Sequence, residues 1–340
     1  MITVFDEAQR AHDPKMFLSS GAPRPSPEQP ARIDALLAAV RRMGGPVIEP
    51  PDTGIEPIRA VHPQRYLTFL QGIYQRWTRI EGASAEVIPN IHPANRSDGY
   101  PKSAVGQAGF HMTDTSCPIS GQTWAAAYAS AQTAIHAADL VLGGEHAAYA
   151  LCRPPGHHAF AELAGGFCYL NNSGIAAQRL RDAGKRVAIL DVDLHHGNGT
   201  QGMFYARGDV LTVSIHADPE RFYPFFWGYA GETGEGEGLG ANLNLPLPRG
   251  TGDAGFLAAL SEAIEKIQSW GADSLVLALG LDAFEGDPFA GLGVTTSGFA
   301  TIGRAVQAMG LPTVIVQEGG YLCPELGDNL AAVLGCWLSK

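Results

Sequence analysis

The sequence predicts an α/β protein built on one central, mostly parallel sheet with helices on both faces, and three observations carry that prediction. Short runs rich in Val, Ile and Leu alternate with longer helical stretches. The short runs are apolar on both faces, as strands buried between helix layers must be. No internal repeat or low-complexity linker divides the 340 residues. That length exceeds the usual domain, but α/β folds often run past it as one unit, so residues 1–340 are expected to form a single domain.

The elements follow in order. A strand over 2–5 opens the chain and a helix over 30–42 comes next. Residues 80–120 are rich in Pro, Asn, Ser and Gly, too long a connection to lack a purpose, and read as an inserted loop. A helix over 121–142 leads to a strand at 147–152, a helix over 172–183 to a strand at 187–192, and a further strand is expected at 210–215. Residues 228–245 are irregular. The tail alternates again: helix 253–269, strand 274–279, helix 297–309, strand 313–317 and helix 325–338.

Four of these strands deliver polar groups just past their C-terminal ends, which is where open α/β sheets build their sites. In Ile189-Leu-Asp191-Val-Asp193-Leu-His195-His196-Gly197 the alternation of strand side chains sends Asp191, Asp193 and His195 to one side. Two carboxylates and an imidazole suit Zn²⁺ or another borderline divalent ion. Cys152-Arg-Pro-Pro-Gly-His157-His158 places adjacent histidines after a turn whose Pro and Gly fix an irregular backbone. Ser274 to Asp282 is an apolar run closing on Gly-Leu-Asp, and Thr313 to Tyr321 closes on Glu-Gly-Gly-Tyr. Taken singly, each also reads as a strand end with a turn.

Together, in this order and spacing, these motifs and Gly165-Gly-Phe-Cys-Tyr-Leu-Asn-Asn172 resemble the histone-deacetylase-like amidohydrolases of the arginase/deacetylase fold. The resemblance runs over nearly the whole chain, and within that family is nearest the bacterial acetylpolyamine amidohydrolases. It implies a zinc-dependent deacetylase. Asp193, His195 and Asp282 would be the metal ligands, for Zn²⁺ or Fe²⁺. His158 would be general base and then general acid, His157 its electrostatic partner, and Tyr321 the donor to the oxyanion. Asp191 and Asn198 would hold the two histidines; an amide stabilises imidazolium less than a carboxylate does, so His158 should be the less basic. Asp191, Asp193, His195, Ser214 and Ile215 match a structural K⁺ or Na⁺ site. Gly166, Phe167, Tyr223 and Phe289 match the substrate channel, with Asp114 the only carboxylate between residues 99 and 138 available for a distal ammonium. The 80–120 segment resembles an insertion that shapes a homodimer and narrows the channel.

Composition bounds the partners. A formal charge of −11 argues against nucleic acid. No 18-residue apolar run occurs and Met1 to Asp6 is unlike a signal peptide, so neither membrane span nor export is expected. Five cysteines without a C-x-x-C pair fit reduced thiols and a cytoplasmic location. Gly234-Glu-Gly-Glu-Gly238 is not a phosphate loop, since Glu235 and Glu237 would repel the ligand. His196 and His216 read as structural histidines. The expected substrate is a small cationic acetylated amine. The alternatives are an acetyl-lysine deacetylase and a non-enzymatic metal-binding relative; a binuclear manganese ureohydrolase would need further ligands and a D-A-H-x-D string.

Overall fold

The computed structural model describes residues 1–93 and 99–338, so residues 94–98 of the expected insertion lie outside the described residues. In chain order the strands are β1 (Ile2–Val4), β2 (Met16–Ser19), β3 (Ala22–Pro25), β4 (Val47–Ile48), β5 (Ala147–Ala150), β6 (Val187–Asp191), β7 (Val210–Ala217), β8 (Asn242–Leu247), β9 (Ser274–Leu279) and β10 (Thr313–Gln317). The α-helices are α1 (Ala31–Arg42), α2 (Glu56–Arg59), α3 (Gln64–Trp77), α4 (Ala104–His111), α5 (Thr123–Leu142), α6 (Asn172–Asp182), α7 (Asn198–Phe204), α8 (Asp253–Trp270), α9 (Thr296–Gln307) and α10 (Leu326–Leu338).

Among the described residues eight strands form one sheet in the order β4-β1-β5-β10-β9-β6-β7-β8. Every pairing in it is parallel. The central strands are buried along their whole length, β9 through Leu275, Val276, Leu277 and Leu279. Each such aliphatic side chain contributes roughly 1.5–3 kcal/mol by leaving water. Helix α5 is rich in alanine (Ala126, Ala127, Ala131, Ala134, Ala138), which lets its backbone approach β5 and α6 closely. Local capping fixes where helices start: Asn171 accepts from Gly174 N–H at 2.8 Å at the head of α6, and Thr295 accepts from Gly298 N–H at 3.0 Å at the head of α9.

All six expected strands and all six expected helices are present, with ends shifted by two residues or fewer. Several elements were not expected. Helix α3 carries an apolar stripe of Tyr66, Leu67, Leu70, Ile73 and Trp77 at helical spacing. Helix α4 lies inside the segment read as a loop; Gly106 and Gly109 lower its intrinsic propensity, and Ser103 caps it. Strand β8 falls in the stretch read as irregular, because Asn242, Asn244 and Pro246 mask it. It sits at the sheet edge, where proline is tolerated. The antiparallel hairpin β2–β3 turns on Ser20-Gly21, both with positive φ.

Candidate active site

Strands β6 and β9 are neighbours, as are β10 and β5, so the four C-terminal ends bearing polar motifs open onto one place. Past β6 and β9, the donor atoms of Asp193, His195 and Asp282 lie within 4.8 Å of one another, all buried. His195 Nδ1 is 3.2 Å from Asp193 Oδ1 and 3.1 Å from Asp282 Oδ2. The donor set fits a divalent cation. Burial alone would strip a proton from His195, but its hydrogen bonds with Asp193 and Asp282 outweigh that and push its pKa up to about 9. Two buried carboxylates thus demand positive charge between them, and a proton meets the demand where a metal would do so more strongly. The remaining oxygens are tied down: Gly319 N–H donates to Asp193 Oδ2 at 2.8 Å and Leu194 N–H to Asp282 Oδ1 at 3.0 Å.

The histidine pair follows β5. His157 Nδ1 lies 2.9 Å from Asp191 Oδ2, and His158 Nδ1 lies 2.7 Å from Asn198 Oδ1, with the two rings 4.0 Å apart. Burial works against charge on both. For His157 the charges of Asp193 and Asp191 win, pushing its pKa up to about 10. For His158 burial is reinforced by His157 and His195, so its pKa falls well below the usual imidazole range. The asymmetry runs in the direction expected from an aspartate behind one ring and an amide behind the other.

Tyr321 enters from β10. Gly319 carries it past the carboxylates, since a Cβ there would sit 2.4 Å from Asp282 and 2.5 Å from Asp193. Gly320 has φ +106°, a conformation glycine alone adopts freely. The turn is then clamped from both sides. Asp287 accepts Tyr321 N–H and Phe289 N–H, each at 2.9 Å. Arg32 donates to Gly320 O at 2.6 Å and Glu318 O at 2.7 Å, its guanidinium 5.0 Å from the Tyr321 ring centroid.

These groups sit at the base of a cavity of about 680 Å³ lined by His157, His158, His195, Asn198 and Tyr321. Its walls are aromatic, from Phe167, Phe289 and the continuous segment Phe222-Tyr-Pro-Phe-Phe-Trp227, with the hairpin residues Phe17 to Ser20 at one side. Phe167 holds left-handed backbone at φ 68° next to Gly166. Asp114 is the only carboxylate among the described lining residues. Its Oδ2 accepts the Tyr223 phenol at 2.6 Å and Gly166 N–H at 3.3 Å, and its Oδ1 accepts Ser116 N–H at 2.7 Å.

A model of the histone deacetylase domain matches residues 26–336. The chain belongs to the histone deacetylase family. It is 48% identical over 336 residues to the acetylpolyamine amidohydrolase of Burkholderia pseudomallei, covering 98% of each chain. Its identity to the acetylpolyamine amidohydrolase of Mycoplana ramosa is 43% over 337 residues, again 98% of each. The crystal structure of the B. pseudomallei acetylpolyamine aminohydrolase superposes with a TM-score of 0.96 at 47% identity, over 99% of this chain and 98% of that one. The fold is the single-domain arginase/deacetylase-like fold, and the chain is a hydrolase of the deacetylase family.

In this place the residues expected as metal ligands, histidine pair, tyrosine and channel lining come together. Of the expected monovalent-cation residues, Asp191, Asp193 and His195 belong to this same cluster, and the β6–β7 register sets Ser214 beside Asp191 and Ile215 one residue further. His196 and His216 pack ring against ring at 4.6 Å; His216 is bonded to Ser214 and Gly228, and His196 to Gln201. Three further contributors had been given no role from the sequence. Glu318 accepts Gly156 N–H at 2.6 Å, His157 N–H at 3.0 Å and the Ser173 hydroxyl at 2.6 Å, stitching three motifs together. It also forms a second donor cluster with His157 and Cys168. Glu318 spends its oxygens on these bonds, and burial raises the Cys168 thiol well above its usual pKa, so that cluster is structural. A signal for Glu318 existed, an acid at a strand end before Gly-Gly, and Asp287 similarly stands in a Gly-Asp-Pro turn. Arg32 had none; on a helix it reads as one more surface cation.

Proposed function

We propose that this chain hydrolyses the amide of small acetylated amines, acetylated polyamines foremost. The carrying observation is a histidine pair oriented through both Nδ1 atoms beside the Asp193, His195 and Asp282 donors, at the base of an aromatic cavity. A divalent ion held by those donors, Zn²⁺ or Fe²⁺, supplies Lewis acidity to the amide carbonyl and acidifies a water. His158, held through Nδ1, presents Nε2 to take the water's proton and return it to the departing amine nitrogen. His157, whose protonated form is favoured by the charges of Asp193 and Asp191, stabilises negative charge building beside it. Tyr321 donates its phenol proton in a hydrogen bond to the carbonyl oxygen as it becomes anionic.

Substrate selection follows from the walls. Phe167, Tyr223 and Phe289 accept an alkyl chain, Gly166 offers its carbonyl to the amide N–H, and aromatic faces favour a distal ammonium. Asp114 supplies the complementary charge. The relatives that match 98% of this chain carry the name acetylpolyamine amidohydrolase, which supports the polyamine reading. The same reading includes a K⁺ or Na⁺ ion at Asp191, Asp193, His195, Ser214 and Ile215, and a cytoplasmic homodimer. Its 80–120 segment, which already lends Thr113, Asp114 and Ser116 to the cavity wall, narrows the entrance. No helix among the described residues is long and apolar enough to cross a membrane.

The test is a turnover comparison of acetylputrescine, acetylcadaverine, acetylspermidine and an acetyl-lysine peptide with the Zn²⁺-loaded protein. The free acetylated amines are expected to give the higher kcat/KM. Cleavage of the peptide alone overturns the polyamine reading and leaves an acetyl-lysine deacetylase.

A further inference from the structure

Glu232 lies in the glycine-rich loop after β7, among neither the metal ligands nor the cavity lining, yet one of its oxygens gathers three segments. Its Oε2 accepts Gly228 N–H at 2.9 Å, Gln201 Nε2–H at 2.7 Å and Asn244 Nδ2–H at 3.1 Å. Its backbone carbonyl accepts Asn242 Nδ2–H at 2.6 Å. Gly228 directly follows the six aromatic-rich residues 222–227, every one of which lines the cavity. Gln201 stands on α7, the helix whose first residue, Asn198, holds His158. Asn242 and Asn244 are two apart on β8 and so point to one face, where both also donate to Gln201 Oε1, at 3.2 and 2.8 Å.

The aromatic segment needs such an anchor. It contains no helix or strand, and Phe225 and Phe226 are 48% and 85% exposed, so burial does not fix their positions. Its entry is held where β7 ends, by Ala217 N–H to Leu194 O and Asp218 N–H to Leu247 O, both at 2.9 Å. Its exit is Gly228, with φ +105°, where a Cβ would lie 2.8 Å from the rings of His196 and His216. The chain dives into the interior there, and its N–H must find an acceptor.

We propose that Glu232 is a positioning residue whose carboxylate latches the aromatic segment 222–227 to α7 and β8, and so sets the width of the channel that admits the substrate. The latch rests on the reading of the cavity as a substrate channel. It gives a role to the Asn-x-Asn-x-Pro spacing of β8, and it joins the wall to the helix that orients His158. Glu232 acts through Gly228 and Gln201 and touches no reacting atom.

The experiment compares Glu232→Ala and Glu232→Gln in the full-length zinc-loaded protein, with acetylputrescine as substrate. A glutamine can place Oε1 where Oε2 lies, keeping all three bonds, with its NH₂ in the other oxygen's place. The alanine variant is expected to raise KM about tenfold with kcat within about twofold of wild type, and the glutamine variant to behave as wild type. A second readout is the rate of chymotryptic cleavage within 222–229, mapped by mass. It should rise about tenfold in Glu232→Ala and not in Glu232→Gln. This readout needs no turnover, so a wild-type protein inactive on every acetylated amine would sink the proposed function while the latch is still tested. Wild-type KM and cleavage rate in Glu232→Ala would overturn the latch. So would equal damage in both variants, or a fall in kcat and melting temperature with KM unchanged.

Discussion

Replacing Tyr321 by phenylalanine separates transition-state stabilisation from every other contribution of that side chain. The ring is held by Phe289 at 4.8 Å, Phe167 at 6.0 Å and the Arg32 guanidinium at 5.0 Å, all contacts that phenylalanine retains. The turn beneath it is fixed through backbone atoms, by Asp287 and Arg32, and is indifferent to the hydroxyl. The hydroxyl itself has no protein partner among the described residues and faces the cavity. Stability should therefore stay within about 0.5 kcal/mol of wild type. Burial, opposed by Arg32 and reinforced by Asp282 and Asp193, holds the phenol well above its usual pKa, so it remains a donor throughout the neutral range. A preorganised donor aimed at a developing oxyanion is worth about 10² to 10³ in kcat, or roughly 2.7–4 kcal/mol. Steady-state kinetics on an acetylated diamine, with zinc measured on the same sample, should show that fall with KM little changed. A Tyr321→Phe variant with full zinc and wild-type kcat would make the tyrosine structural and remove the electrophilic partner from the mechanism.

Asp193→Ala and Asp282→Ala should each lose bound zinc, read by elemental analysis after dialysis, and with it hydrolysis, since each removes one of three protein donors; stoichiometric zinc in both variants would refute the ligand set. Acid should destabilise the fold through His62, which is buried with Nδ1 2.9 Å from Ala161 O and with Nε2 accepting Asn171 N–H at 2.9 Å. Burial, against the bond to Ala161, lowers its pKa from 6.5 to about 4, so between those values the unfolded chain binds a proton that the folded chain refuses. Its contribution is complete above pH 6.5 and is lost as pH falls towards 4. In urea unfolding at pH 7 and pH 5, His62→Gln should lose about 2 kcal/mol less than wild type. Equal losses would show that His62 does not carry the acid sensitivity.

The central strands and long helices were legible because burial on both faces leaves continuous apolar runs, as in Ser274 to Leu279 and Thr313 to Gln317. The candidate site positions were legible because they fall at strand ends, where a polar residue interrupts an apolar run and so stands out; their roles came from the resemblance to the deacetylase-like amidohydrolases. Asp193, His195, Asp282, the histidine pair and Tyr321 all carry that mark. Elements whose stability comes from side-chain amides or from tertiary support were not. Strand β8 looks like polar loop because Asn242 and Asn244 face Gln201 and Glu232 rather than a greasy layer. Helix α4 hides among glycines.

By itself, then, the order of residues determined the sheet, its helical cover and the donor types gathered at one end, since periodicity and composition are properties of neighbours in sequence. Only the tertiary structure decided how those donors are held. Arg32 reaches Gly320 across 288 positions, Glu318 reaches Gly156 across 162, and Asp114 meets Tyr223 across 109. Such contacts leave no local pattern, because a hydrogen bond constrains two atoms in space and says nothing about the residues beside them in the chain.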